Sequence, residues 1–174
     1  MPDPLREPAR KRPTVDQQFV LREYRAADFH RLWEIDQLCF EPGIAYTQMD
    51  LTGFLAQRNA IALVAECGEL HPDTMQAGQI AGFVVAHARH KVGRVVTIDV
   101  LPAARGLGLG SQLMSECETR LRAAGCTQIV LETAVNNAAA LRLYEKLGYK
   151  ILRTLPEYYS SESLDAFLMG KQLV

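Results

Sequence analysis

No run in the 174 residues approaches the 20 or so apolar residues of a membrane span, and nothing near the first Met resembles a signal peptide. Neither a membrane protein nor a secreted one is expected; the expectation is a cytoplasmic protein. The four cysteines, Cys39, Cys67, Cys117 and Cys126, make no C-x-x-C pair, so they read as reduced thiols, most of them core packing. A formal net charge of −1 leaves no general attraction to nucleic acid or to an anionic membrane. His87 and His90 form H-x-x-H without a nearby cysteine or carboxylate set, so an exposed hairpin rather than a metal site is expected there, and no metal anywhere. No internal repeat is present.

What is there suits one domain. A globule of this length buries roughly 70% of its unfolded surface, enough for a core without staples. Residues 1–17 combine prolines with Arg6, Arg10, Lys11 and Arg12 and lack apolar periodicity, which predicts a solvated, disordered tail ahead of a domain over 18–174. Such a basic tail could also touch ribosomal RNA or another acidic partner.

The most informative stretch is Val95–Ser111, V-V-T-I-D-V-L-P-A-A-R-G-L-G-L-G-S. A β-branched run stops at Pro102, and a loop with Arg105 and three alternate glycines opens a helix. Glycine turns backbone N–H groups inward, and a helix N-terminus offers unpaired donors with a partial positive charge, so the pattern is a phosphate cradle. A Walker A loop fails, because Gly110 is followed by Ser111 with no lysine. A dinucleotide G-x-G-x-x-G from Gly106 and Gly108 reaches Ser111 where the third glycine belongs, with Glu132 at about the place of the ribose-binding acid; it is a near miss. Arg105, Gly108 and Gly110 match Arg/Gln-x-x-Gly-x-Gly/Ala in full. Here the stretch resembles the acetyl-CoA loop of the GNAT superfamily of N-acetyltransferases.

The rest of the pattern alternates strand and helix. Phe19–Tyr24 reads as a strand and Ala27–Phe40 as a helix; Glu41–Tyr46 breaks it, and Thr47 with Asp50 forms an acidic capping box for a second helix. Strands follow at Ala60–Glu66, Ile80–Ala88 and up to Val100, then a helix with Leu113, Cys117 and Leu121 on one face, closed by Gly125. A strand through Ile129–Leu131, a helix Ala138–Leu147 capped by Asn136 or Asn137, and two last strands, Tyr149–Leu155 and Leu164–Leu173, joined by P-E-Y-Y-S-S-E-S, complete an α/β domain with βαβ crossovers around the fourth and fifth strands.

Two residues of the second half need explaining. Glu132 interrupts an apolar strand; it is either on a solvated edge face or a carboxylate at a cleft mouth, a general base with its pKa raised by partial desolvation. Tyr144, taken alone, is core packing with a wet hydroxyl. The segment I-V-L-E-T-A-V-N-N-A-A-A-L-R-L-Y-E-K-L-G-Y is very similar to the region after the acetyl-CoA loop in ribosomal-protein alanine N-acetyltransferases and related protein N-terminal acetyltransferases. That resemblance implies a GNAT fold: a mixed, mostly antiparallel seven-stranded sheet flanked by about four helices. It implies Glu132 as base, Tyr144 as the acid that protonates the departing thiolate, and Asn137 on the pantetheine arm. Acetyl-CoA is the implied cosubstrate, held by Ile98, Asp99 and Val100 along the strand and by Arg105, Gly106, Leu107, Gly108, Leu109, Gly110 and Ser111 at the pyrophosphate. Glu41–Tyr46 and the pair Tyr158-Tyr159 occupy the places where protein N-terminal acetyltransferases line a peptide groove, so Tyr46, Tyr158 and Tyr159 are the expected acceptor contacts and a protein or peptide N-terminus, a ribosomal protein among the candidates, the expected partner. The alternatives are an acetyltransferase for a small amine or a lysine side chain, and a CoA-binding module without turnover, which would need the glycines but neither Glu132 nor Tyr144.

Overall fold

The computed structural model describes residues 18–69, 74–159 and 163–173; the tail expected over 1–17 lies outside them. Seven strands, β1 (Phe19–Glu23), β2 (Ala60–Cys67), β3 (Ile80–Arg89), β4 (Val92–Val100), β5 (Gln128–Ala134), β6 (Lys150–Tyr159) and β7 (Leu164–Gln172), form one sheet in the order β1-β2-β3-β4-β5-β7-β6. Four helices accompany it: α1 (Phe29–Cys39), α2 (Gln48–Leu55), α3 (Leu109–Ala123) and α4 (Ala138–Lys146). Every neighbouring pair is antiparallel except β4 and β5, which run parallel.

The expected local signals carry the elements. Thr47 accepts from the Asp50 N–H at 3.1 Å and Asp50 reaches back to Thr47 N, so the capping box starts α2. Leu113, Cys117 and Leu121 are fully buried in α3, and Gly125 follows with φ +89°, a left-handed turn that suits glycine. Leu32 and Ile35 of α1, Phe83 and Val85 of β3 and Ile129 and Leu131 of β5 belong to the same core.

Two departures matter. The segment P-E-Y-Y, expected in a loop, is the end of β6: Tyr159 pairs with Leu164 across a register shift, with Glu157 at φ +48°. β6 is an edge strand, where Pro156 costs no ladder bond. His87, expected in an exposed hairpin, is buried in β3, and its Nε2 lies 2.9 Å from the Phe54 carbonyl of α2. The ring is a tie between helix and sheet.

The feature that creates a site is the join of β4 and β5. They pair over three residues only, Val92, Arg94 and the glycine between them against Gln128, Ile129 and Val130. Beyond Arg94 they pair no further, so the β4 edge from Val95 to Val100 has no strand partner on the β5 side. A bulge at Val96, where Val95 pairs with Ala86 but Thr97 with Val85, adds one residue to β4. Side chains alternate across a strand, so this extra residue turns Thr97 and Asp99 to the face that Arg94 and Glu132 also occupy, the face toward α1.

Candidate active site

One end of the site is built from backbone. Gly106 and Gly108 stand at φ +76° and +88°, and Gly108 caps α3 with no side chain on the first N–H groups. The first turn of an α-helix has no internal acceptor for those donors, so Leu109, Gly110 and Ser111 present theirs outward. Nothing lies within 4 Å of where a Gly106 Cβ would be; at Gly110 a Cβ would come 3.1 Å from Leu143, so that glycine lets α3 and α4 approach. An uncapped N-terminus behind an open glycine loop, in line with an unpartnered strand edge, fits an extended ligand with a phosphate at one end. The Arg105 Nε donates to the Val100 carbonyl at 3.0 Å, which turns its side chain back to the strand end.

The opposite end is built from side chains. Glu132 is mostly buried and forms an ion pair with Arg94, its Oε1 lying 3.0 Å from Nη2; the same Nη2 lies 3.5 Å from the Tyr158 hydroxyl. The glutamate therefore faces a cation rather than apolar surroundings. Tyr158 and Tyr159 meet edge to face with centroids 5.1 Å apart, and burial pushes the Tyr159 phenol up to about 12, with the charge of Glu132 adding to the shift. Tyr144 is buried; burial raises its phenol well above the ordinary range, with Asp99 and Tyr159 adding to it. Asn137 caps α4, its Oδ1 accepting from Ala140 N–H at 3.1 Å, which leaves its amide NH2 for other partners.

Tyr46 completes the group. Its backbone is clamped by α1: its N–H donates to Asp36 Oδ2 at 2.7 Å, and its carbonyl accepts from Gln37 at 2.8 Å and from Trp33 at 3.2 Å. Its hydroxyl donates to the carbonyl of the bulged Val96 at 3.2 Å, its ring packs on Phe54 at 5.0 Å, and burial followed by Tyr159 and Tyr158 raises its phenol. Residues from five separate segments thus converge where β4 and β5 part.

Two participants, and the buried carboxyl of a third, escape sequence reasoning. Arg94 was hidden by the long-range register that sets it beside Glu132. Asp36 is fully buried with Oδ1 lacking any partner among the described residues, and burial pushes it up to about 6. Asp99, expected as a backbone contact, also buries its carboxyl: Oδ1 accepts from Thr97 at 2.8 Å, Oδ2 has no partner, and burial followed by the charge of Asp36 raises it far above the usual carboxylate range. Charged residues spaced along a helix and a strand read as solvated, and only the fold makes them neighbours. Hollows of about 460 and 350 Å³ open between α3 and the β1–β2 edge, lined by Leu63 and Arg120 among others and away from Glu132.

This pairing of a glycine cradle with a parted parallel strand pair belongs to a known class. Residues 29–149 match the acetyltransferase (GNAT) family, and the chain is a member of it: an acetyl-CoA-dependent N-acetyltransferase. An N-alpha-acetyltransferase of Sulfurisphaera tokodaii is 26% identical over 169 residues, 90% of this chain and 94% of the relative. Among solved structures, Ard1 from Thermoplasma volcanium superposes with a TM-score of 0.78 at 25% identity, covering 90% of this chain and 99% of that one. The ribosomal-protein-S18-alanine N-acetyltransferase of Escherichia coli shares the fold with a TM-score of 0.75 at 20% identity, over 89% and 94% of the two chains.

Proposed function

We propose that this acetyltransferase acts on the α-amine at the N-terminus of a polypeptide, by direct attack in a ternary complex with acetyl-CoA. The observation that carries the reading is the convergence of Tyr46, Tyr158 and Tyr159 on the side of Glu132 away from the glycine cradle, an aromatic wall of the kind an extended chain end would lie against. The N-alpha-acetyltransferase relative supports it.

The cosubstrate supplies the activated acetyl thioester. Leu107–Ser111 would hold its pyrophosphate through backbone N–H groups, and Ile98–Val100, with the Asn137 amide, its pantetheine arm. An α-amine titrates near ~8, a lysine near ~10.4, so the former is the easier to deprotonate at neutral pH. Glu132, directly or through one water, takes the proton, and Arg94 fixes the carboxylate in place. Attack by the neutral nitrogen builds an oxyanion that a backbone N–H of the free β4 edge can stabilise. Collapse breaks the carbon–sulfur bond. Tyr144, whose upward shift keeps its phenol protonated at working pH, donates to the departing sulfur in the same step, and the proton released from nitrogen restores it.

The test is free thiol release with a panel of short peptides of varied first residue, beside polyamines and aminoglycosides. Turnover of peptides at a higher kcat/KM than of any small amine is expected; turnover of a small amine with no peptide accepted overturns the reading.

A further inference from the structure

Resting on the polypeptide reading above, we propose that the acceptor is selected by a carboxylate within its first two residues, and that Arg94 is the residue that binds it. Arg94 is both close to the reacting centre and half free. Its Nη2 serves Glu132 and Tyr158, yet its side chain is 53% exposed, and Nε and Nη1 have no partner among the described residues. A guanidinium carries five donors in a planar fork matched to a carboxylate, so the unused part of the fork is a recognition element rather than a structural tie. Any amine delivered to Glu132 brings the side chains of its first residues beside that fork.

The surroundings share the sign. From Ile80 to Ile98 there is no Asp or Glu, while Arg89, Lys91 and Arg94 all fall in that span. Arg89 and Lys91 are exposed and have no ion-pair partner among the described residues. Asn59 bonds the Ala88 carbonyl at 2.7 Å and its own carbonyl accepts from Ala88 N–H at 3.0 Å, which brings the exposed Arg58 alongside. A chain with a net charge of −1 thus sets a cationic border at the hairpin end of β3 and β4, the end from which Arg94 reaches Glu132. An acidic chain end is drawn in, whereas a second ammonium, as in a polyamine, is repelled. The same charge disfavours the protonated form of the incoming amine, the form that cannot react.

The experiment uses the full chain and four peptides identical beyond their first two residues, Ala-Ala, Asp-Ala, Ala-Asp and Ala-Lys, with thiol release as the readout. The acidic peptides are expected to show a KM about tenfold below that of Ala-Ala with a similar kcat, an advantage that shrinks as salt rises. Arg94→Gln should bring the ratio of acidic to neutral kcat/KM to about one, and Arg94→Glu should reverse it in favour of Ala-Lys. Equal KM values in the unmodified protein overturn the proposal. So does an Arg94→Gln variant that loses kcat on every peptide alike with the ratio kept, because Arg94 would then act only through Glu132. Peptide turnover without charge preference defeats this proposal and leaves the polypeptide reading standing; turnover of polyamines alone defeats both.

Discussion

The two ends of the cleft are made of different material. At the proposed donor end the groups offered are backbone: N–H donors of an uncapped helix, two left-handed glycines and a strand edge. At the proposed acceptor end they are side chains: Glu132 from β5, Arg94 from β4, Tyr46 from the loop before α2 and two tyrosines from the end of β6. A backbone site is sensitive to what is added, because a Cβ or a shifted strand closes it. A side-chain site is sensitive to what is removed or exchanged. One cosubstrate can therefore be retained through wide sequence change while the acceptor is retuned residue by residue.

The sharpest way to test this division is to remove acceptor-end chemistry and ask whether the donor end notices. Tyr144→Phe should lower kcat about 10²- to 10³-fold while the affinity for acetyl-CoA, measured by calorimetry, stays within about threefold. Glu132→Gln should cost a comparable factor, most at pH below the ~8 of the α-amine, where a base is needed, and least above it. Wild-type rates in both variants would remove the roles given to these residues.

The converse adds atoms at the donor end. At Gly82 a Cβ would lie 2.5 Å from the Asp99 carbonyl oxygen and 3.3 Å from the Val100 Cα, both backbone. Gly82→Ala should push β4 out of place and cost about 1–3 kcal/mol, a fall of several degrees in Tm, together with weaker acetyl-CoA binding. Gly108→Ala, at φ +88° with α3 beginning behind it, should cost about 1–2 kcal/mol of strain and show mainly as weaker acetyl-CoA binding with KM for a peptide little changed.

The smallest effect sits between the two ends. Burial raises the Asp36 carboxyl to about 6 against ~3.9 in an unfolded chain, so the folded state holds its proton more tightly. That contribution is fully present below pH ~4 and is lost as pH rises through about 6. Asp36→Asn, which keeps an acceptor for the Tyr46 N–H, should thus be more stable than wild type by about 1 kcal/mol at pH 8 and not at pH 4, as read from urea midpoints at the two values. A variant less stable at both would mean that the charged carboxylate holds Tyr46 in place.

The same division explains what could be read in the chain. The cradle lies within seven consecutive residues, and the Thr47–Asp50 box within four, so spacing alone exposes them. The element order and the parallel crossover also follow from period and turn residues. Arg94 could not be found that way, since its meaning depends on a three-residue pairing with a strand some 35 residues later. Asp36 reads as an ordinary polar position, and Asp99 as a strand contact of the cosubstrate with no sign of its buried carboxyl, because burial is a property of what packs above them. Pro156 misled in the opposite sense: it signals a loop unless the strand is known to be at an edge, which no local pattern reveals.

The short union of β4 and β5 has one more consequence. One half of the sheet, β1 to β4, meets the other, β5 to β7, through three residue pairs, helped at the base by Thr127 N–H on the Lys91 carbonyl and across the back by Lys171 on Glu118 of α3. The sheet's shortest strand pairing therefore runs through the candidate active site. A ligand that lies along the open edge acts as a suture, so mechanical integrity and cosubstrate occupancy become one quantity, and the two halves should exchange their amides as separate units until the seam is closed.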